Sequence, residues 1–182
     1  MRFIALIFLF ISVAGCTKNT KLEYGLDLSE TIRINLSTEP ANLDWTKQSD
    51  MVSGQVNFNL MEGLTEVNLH DPELGVEMRL ASDMKPSADG KTWTITMRKG
   101  VKWTDGVELT AKHAVDAWER VLNPKTGSPY AYYLFCLKNA QKYYKGEIKD
   151  FNEVGAHIND QGQIVVELER PRVLFTYLIT QQ

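Results

Sequence analysis

Chemistry in this chain would have to begin at its histidine, cysteine and carboxylate side chains, and their spacing serves it poorly. His70, His113 and His157 lie far apart, with no His-x-x-x-His or Cys-x-x-Cys pair, so no local metal site can be read. The Asp and Glu residues form no isolated pair flanked by apolar residues, the pattern that separates a general acid from a general base. A nucleophile elbow, a phosphate loop and a dinucleotide fingerprint are all missing, so the expectation is a protein without cofactor that is not an enzyme. Cys136 sits in the apolar run Tyr132 to Leu137 and reads as a buried, inert thiol. Tyr130 follows a proline in a polar loop, a setting that leaves a phenol with one apolar face and one polar tip to use.

The other cysteine stands in a different setting. Met1 and Arg2 give a positive start, Phe3 to Ile11 are uninterruptedly apolar, and the residues before Cys16 are mostly small, the layout of a secretory signal over residues 1–15. The run falls short of the about 20 apolar residues of a permanent span. Val13-Ala14-Gly15-Cys16 resembles the bacterial lipobox, which implies cleavage before Cys16, lipid on its thiol and a membrane anchor of several acyl chains. Residues 16–30 are polar and read as the lipidated Cys followed by a tether. With Cys16 lipidated, Cys136 is the one thiol left and no disulfide forms within the chain. The net charge of −3 gives no sign of a nucleic-acid partner.

The remaining pattern is mixed helix and strand. Ile32, Ile34 and Leu36 alternate with polar residues, predicting a strand over Thr31 to Ser37 that Pro40 stops. Val52, Val56 and Leu60 predict a helix from Asp50 to Gly63, capped by Asp50 or Ser49, with Leu64 to Val67 a short strand after it. The Asp89-Gly90 turn and the alternation of Trp93, Ile95 and Met97 predict a strand over Thr92 to Met97. After a second turn at Asp105-Gly106, Thr110 can cap a helix with the stripe Ala114, Val115, Trp118, Val121 and Leu122, ended by Asn123-Pro124. Trp103 and Trp118 read as core anchors. Tyr130 to Tyr144 is expected to be helical, Gln163 to Leu168 a strand, and Val173 to Gln182 a final helix.

Particular stretches carry a resemblance. Glu39-Pro40-Ala41-Asn42-Leu43-Asp44, Glu62-Gly63-Leu64, the run from Asp89 through Trp93 to Gly106, Leu109-Thr110-Ala111 and Ser128-Pro129-Tyr130-Ala131 together resemble the family 5 solute-binding proteins of ABC importers, nearest the oligopeptide branch. The resemblance implies an α/β fold of the type II periplasmic-binding-protein kind (cluster C). Residues 31–48 would belong to a first lobe, 49–154 to an appended smaller domain and 155–182 to the return into the first lobe, with the second lobe absent. It further implies a monomeric lipoprotein facing the periplasm or cell exterior, which closes on an oligopeptide and delivers it to an ABC permease. Ser49, Asp50, Met51 and Tyr130 are the expected ligand contacts, although the first three depart from the usual residues of the branch. His113 stands where the family usually has an acid, which predicts a helix start with the Thr110 cap and no reciprocal partner. Nickel or haem binding, or a structural or adhesive role, are the competing functions.

Overall fold

The structure, a computed structural model, describes residues 23–181. The signal and Cys16 lie outside them. The chain falls into two units, Met1–Ser37 and Thr38–Gln182.

In the first unit a 3-10 turn spans Glu23–Gly25, and the Asp27 carboxylate accepts hydrogen bonds from the Ser29 backbone and hydroxyl at 2.8 and 2.7 Å. The strand expected over Thr31 to Ser37 does not form: Ile32 and Ile34 are 89 % and 62 % exposed, and no described residue pairs with the segment. Alternation marks a segment that could bury one face, but a strand also needs a neighbour for its N–H and C=O groups. Here the Asn35 side chain turns the backbone instead, accepting from Ser37 N–H at 2.8 Å with Ser37 at φ +67°.

The second unit opens with a side-chain-bonded turn, in which Asp44 accepts from the Thr46 backbone and hydroxyl and pairs with Arg120 at 2.6 Å. Helix α1 (Met51–Leu60) follows, its first turn closed by the Asp50 carboxylate accepting from Ser53 N–H at 2.8 Å. The expected stripe does not set its buried face. Ser53, Gly54 and Asn57 point inward, while Met51, Phe58 and Leu60 are exposed.

Strands β1 (Thr65–Val67) and β2 (Val76–Met78) make a small antiparallel hairpin. Strands β3 (Ala81–Pro86) and β4 (Thr92–Met97) make a second, joined by a loop with Gly90 at φ +67°. Trp93 and Ile95 are buried and Met97 packs against the core, as the alternation predicts. The Asp105-Gly106 turn forms as read, flanked by the bridge between Lys102 and Glu108. Trp103 beside it is no core anchor, because at 44 % exposure it stands at a surface, edge-on to His113.

Helix α2 (Ala111–Leu122) buries Trp118, Val121 and Leu122. Its start corrects the expectation drawn from His113: Nδ1 of the imidazole accepts from Thr110 backbone N–H at 3.1 Å, so a ring nitrogen does what a carboxylate usually does.

Tyr130 to Tyr144 is not one helix but a 3-10 segment, Ala131–Cys136, and a short helix α3 (Ala140–Tyr144). Between them the backbone is used elsewhere, since Glu169 N–H donates to Cys136 O and Lys138 N–H to Glu167 O, both at 2.9 Å. After β5 (Ala156–Ile158) and β6 (Ile164–Glu167), the chain ends in α4 (Phe175–Leu178) and a 3-10 turn, shorter than the helix expected from Val173.

One four-stranded sheet has the order β3-β4-β6-β5, all neighbours antiparallel. Strands β3 and β4 from residues 49–154 and strands β5 and β6 from residues 155–182 share this sheet. Ile95, Ile164, Val166, Leu122, Leu134 and Phe175 are 1 % exposed or less, and burying each such side chain is worth about 1.5–3 kcal/mol. Phe175 packs on Trp93 with ring centroids 5.5 Å apart, tying α4 to the sheet.

Candidate functional site

The fold leaves a cleft of about 540 Å³ between α1, α2 and the loop at Ser128 to Tyr133, within the usual range for small-ligand sites. Three short stretches bring its polar groups together. The loop before α1 supplies Gln48, Ser49 and Asp50, α1 itself supplies Asn57 together with the apolar Met51, and the Ser128-Pro129-Tyr130 turn supplies Ser128 and Tyr130. Much of the remaining wall is apolar, including Phe58, Met61, Met97, Trp103 and Trp118.

All four expected ligand contacts, Ser49, Asp50, Met51 and Tyr130, line this one cleft although they come from distant parts of the chain. Their availability differs. Met51 is 88 % exposed and Tyr130 is 38 % exposed. Asp50 is engaged, because the hydrogen bonds from Ser53 hold its carboxyl below the ordinary value of 3.8, and the charge serves the start of α1. Tyr130 belongs to an aromatic group in which Tyr132 and Tyr133 stack at 4.5 Å and Tyr130 lies 6.0 Å from Tyr133. Glu62, the other acid of the wall, is paired with Arg79 at 3.2 Å. No group of three or more potential metal-ligating side chains occurs among the described residues.

Sequence reasoning missed Gln48 and Asn57. Asn57 is 4 % exposed, its Nδ2 donates to Gln48 Oε1, and its own Oδ1 has no partner among the described residues. The signal was present in Asn57 itself, a polar residue three positions beyond Gly54 on a helix face of small and polar residues.

Against known proteins, residues 75–182 match the family model described as bacterial extracellular solute-binding proteins, family 5 Middle. The chain belongs to the family 5 bacterial extracellular solute-binding proteins. Members of this family are binding proteins and not enzymes. The oligopeptide-binding protein OppA of Bacillus subtilis (strain 168) is 38 % identical over 149 residues, 81 % of this chain and 26 % of that protein. Among solved structures, Haemophilus influenzae OppA in complex with RPPGFSPFR superposes with a TM-score of 0.72 at 32 % identity, covering 80 % of this chain and 28 % of that one. The Escherichia coli murein tripeptide binding protein MppA gives a TM-score of 0.70 at 33 % identity, with 78 % and 27 % covered. The chain thus spans about a quarter of the length of these relatives, and its fold is part of a type II periplasmic-binding-protein fold.

Proposed function

We propose that this chain is part of an exported oligopeptide-binding protein of an ABC importer, anchored to a membrane through lipid on Cys16, which hands its ligand to the permease as a monomer. The observation that carries the reading is the meeting of Ser49, Asp50, Met51 and Tyr130 in one cleft, in a family whose relatives include proteins named for binding oligopeptides. Met51 and Tyr130 contact the peptide directly. Asp50 acts by fixing the first turn of α1, and Ser49 offers a hydroxyl at the rim.

A photo-reactive benzoylphenylalanine placed at position 51 or 130 tests this. Mixed tri- to pentapeptides should cross-link at both positions and not at position 158, an exposed site on strand β5. Equal cross-linking at all three would sink the assignment, as would cross-linking displaced by nickel or haem but not by peptide. For the anchor, a labelled fatty acid should appear on the protein and be lost in Cys16→Ser.

A further inference from the structure

The cleft holds a polar corner that the four contacts above do not use. Asn57 and Gln48 are joined side chain to side chain through one N–H and one carbonyl. Whichever way the two carboxamides are turned, such a pair leaves one carbonyl and one NH2 unspent. In the structure the unspent carbonyl is Asn57 Oδ1, buried and without a donor among the described residues, and the unspent amide is that of Gln48, which is half-buried. A buried carbonyl without a donor is a standing cost that a ligand N–H can relieve.

We infer that Gln48 and Asn57 form a clamp for one extended residue of a peptide, the ligand N–H donating to Asn57 Oδ1 and its C=O accepting from Gln48 Nε2. This rests on the peptide-binding reading above. An extended residue presents its own N–H and C=O to one side, which is the arrangement that a carbonyl and an amide placed together can meet. Its side chain then stands beside apolar wall. Met51, Met61, Met97 and Phe58 are there, and thioethers adapt their shape to different occupants. The clamp therefore selects peptides with a large apolar residue at the clamped position and is indifferent to which one it is.

The test compares N-acetyl-phenylalanine N-methylamide with O-acetyl-phenyllactic N-methylamide, its ester analogue, in which an oxygen replaces the N–H that the clamp requires. Titrated into the full chain by NMR, the amide should bind about fivefold more tightly than the ester, the effect of one net hydrogen bond. Asn57→Leu should bring the ratio to about one, and Asn57→Asp, which keeps an acceptor in place, should preserve it. Should Asn57→Leu fail to fold, Gln48→Leu at its half-exposed position gives the second measurement: both probes weaken about fivefold and their ratio stays. Equal binding of amide and ester, a ratio that survives in Asn57→Leu, or a Gln48→Leu variant with unchanged affinities would each overturn the clamp. Cross-linking of peptides at position 130 together with equal binding of the two probes removes the clamp alone. Absence of any cross-link or probe binding removes the peptide reading with it.

Discussion

Gly155→Ala should cost about 3 kcal/mol, although Gly155 does not sit in a left-handed conformation. Its backbone is fixed from two sides: Gly155 N–H donates to Lys138 O at 2.9 Å, and Glu167 N–H donates to Gly155 O at 2.8 Å. A Cβ placed there would overlap Glu167 O and crowd the Cβ atoms of Lys138 and Glu167. The first of these is backbone inside β6 and cannot swing away, so the strand and the 136–139 segment must separate. Two backbone hydrogen bonds at about 1 kcal/mol each, with a similar amount for overpacking, give the figure. A proper control exists in Gly146, at φ +74° with nothing within 4 Å of an added methyl, where Gly146→Ala should cost only the about 1–2 kcal/mol of a left-handed alanine. Urea unfolding followed by tryptophan fluorescence, with equal slopes for the three proteins, gives the comparison. Gly155→Ala within about 0.5 kcal/mol of the parent, or less costly than Gly146→Ala, would show that the close approach is not what fixes this part of the sheet.

Trp118→Ala, at a 2 %-exposed position lining the cleft, should lose about 3–5 kcal/mol and widen the site, read by calorimetry and by weaker peptide cross-linking at position 130. Acid should loosen the second unit. Asp44 is held below its ordinary 3.8 first by the Thr46 hydroxyl, and Glu167 below its ordinary 4.5 first by Lys138. Depressed carboxylates add stability that is complete above those ordinary values and lost as pH falls through the lower folded ones, so unfolding midpoints should stay level above about pH 5 and drop below about 4. A midpoint that rises on acidification would contradict the sign. Burial pushes the Cys136 thiol up and it is 7 % exposed, so a disulfide reagent at about pH 8 should modify it, as mapped by peptide mass, only at the rate of unfolding. Labelling within seconds on the folded protein would refute this.

The legible parts of this fold are those whose instructions are local. Strand β4 falls on Thr92–Met97 because the Asp89-Gly90 turn sets its start and Trp93 and Ile95 its inner face, and both signals lie within a few residues. Thr31 to Ser37 carries the same alternation and forms no strand, since the pattern cannot supply the second row of N–H and C=O groups that a ladder requires. The stretch after Tyr130 fails as a helix for the converse reason: its backbone finds partners about thirty residues further along, at Glu167 and Glu169, and those outcompete the next helical turn. Long-range pairing leaves no mark in a window of local periodicity.

The candidate site divides along the same line, and α1 shows why. Its cap was readable, because Asp50 needs only Ser53 three positions on to complete the bond. Its orientation was not. Val52, Val56 and Leu60 suggest an apolar seam, yet the helix buries Ser53, Gly54 and Asn57 and leaves Met51 and Phe58 on the cleft side with large exposed surfaces. A helix that turns its polar side inward must find a partner for each buried polar atom. Ser53 meets this by accepting from Asn42 N–H at 3.2 Å, whereas Asn57 meets it on one side only, through Gln48. The half-satisfied Asn57 and the exposed apolar groups beside it are two consequences of one orientation. Asn57 and Phe58 line the cleft where the resemblance had placed only Ser49, Asp50, Met51 and Tyr130, and both depart from the local rules of a helix selected for stability alone. In the peptide-binding reading proposed here, the polar face of α1 serves the clamp and its exposed Met51 and Phe58 serve the ligand side chain. Asn57 and Gln48 are therefore where a change in ligand preference should be sought first.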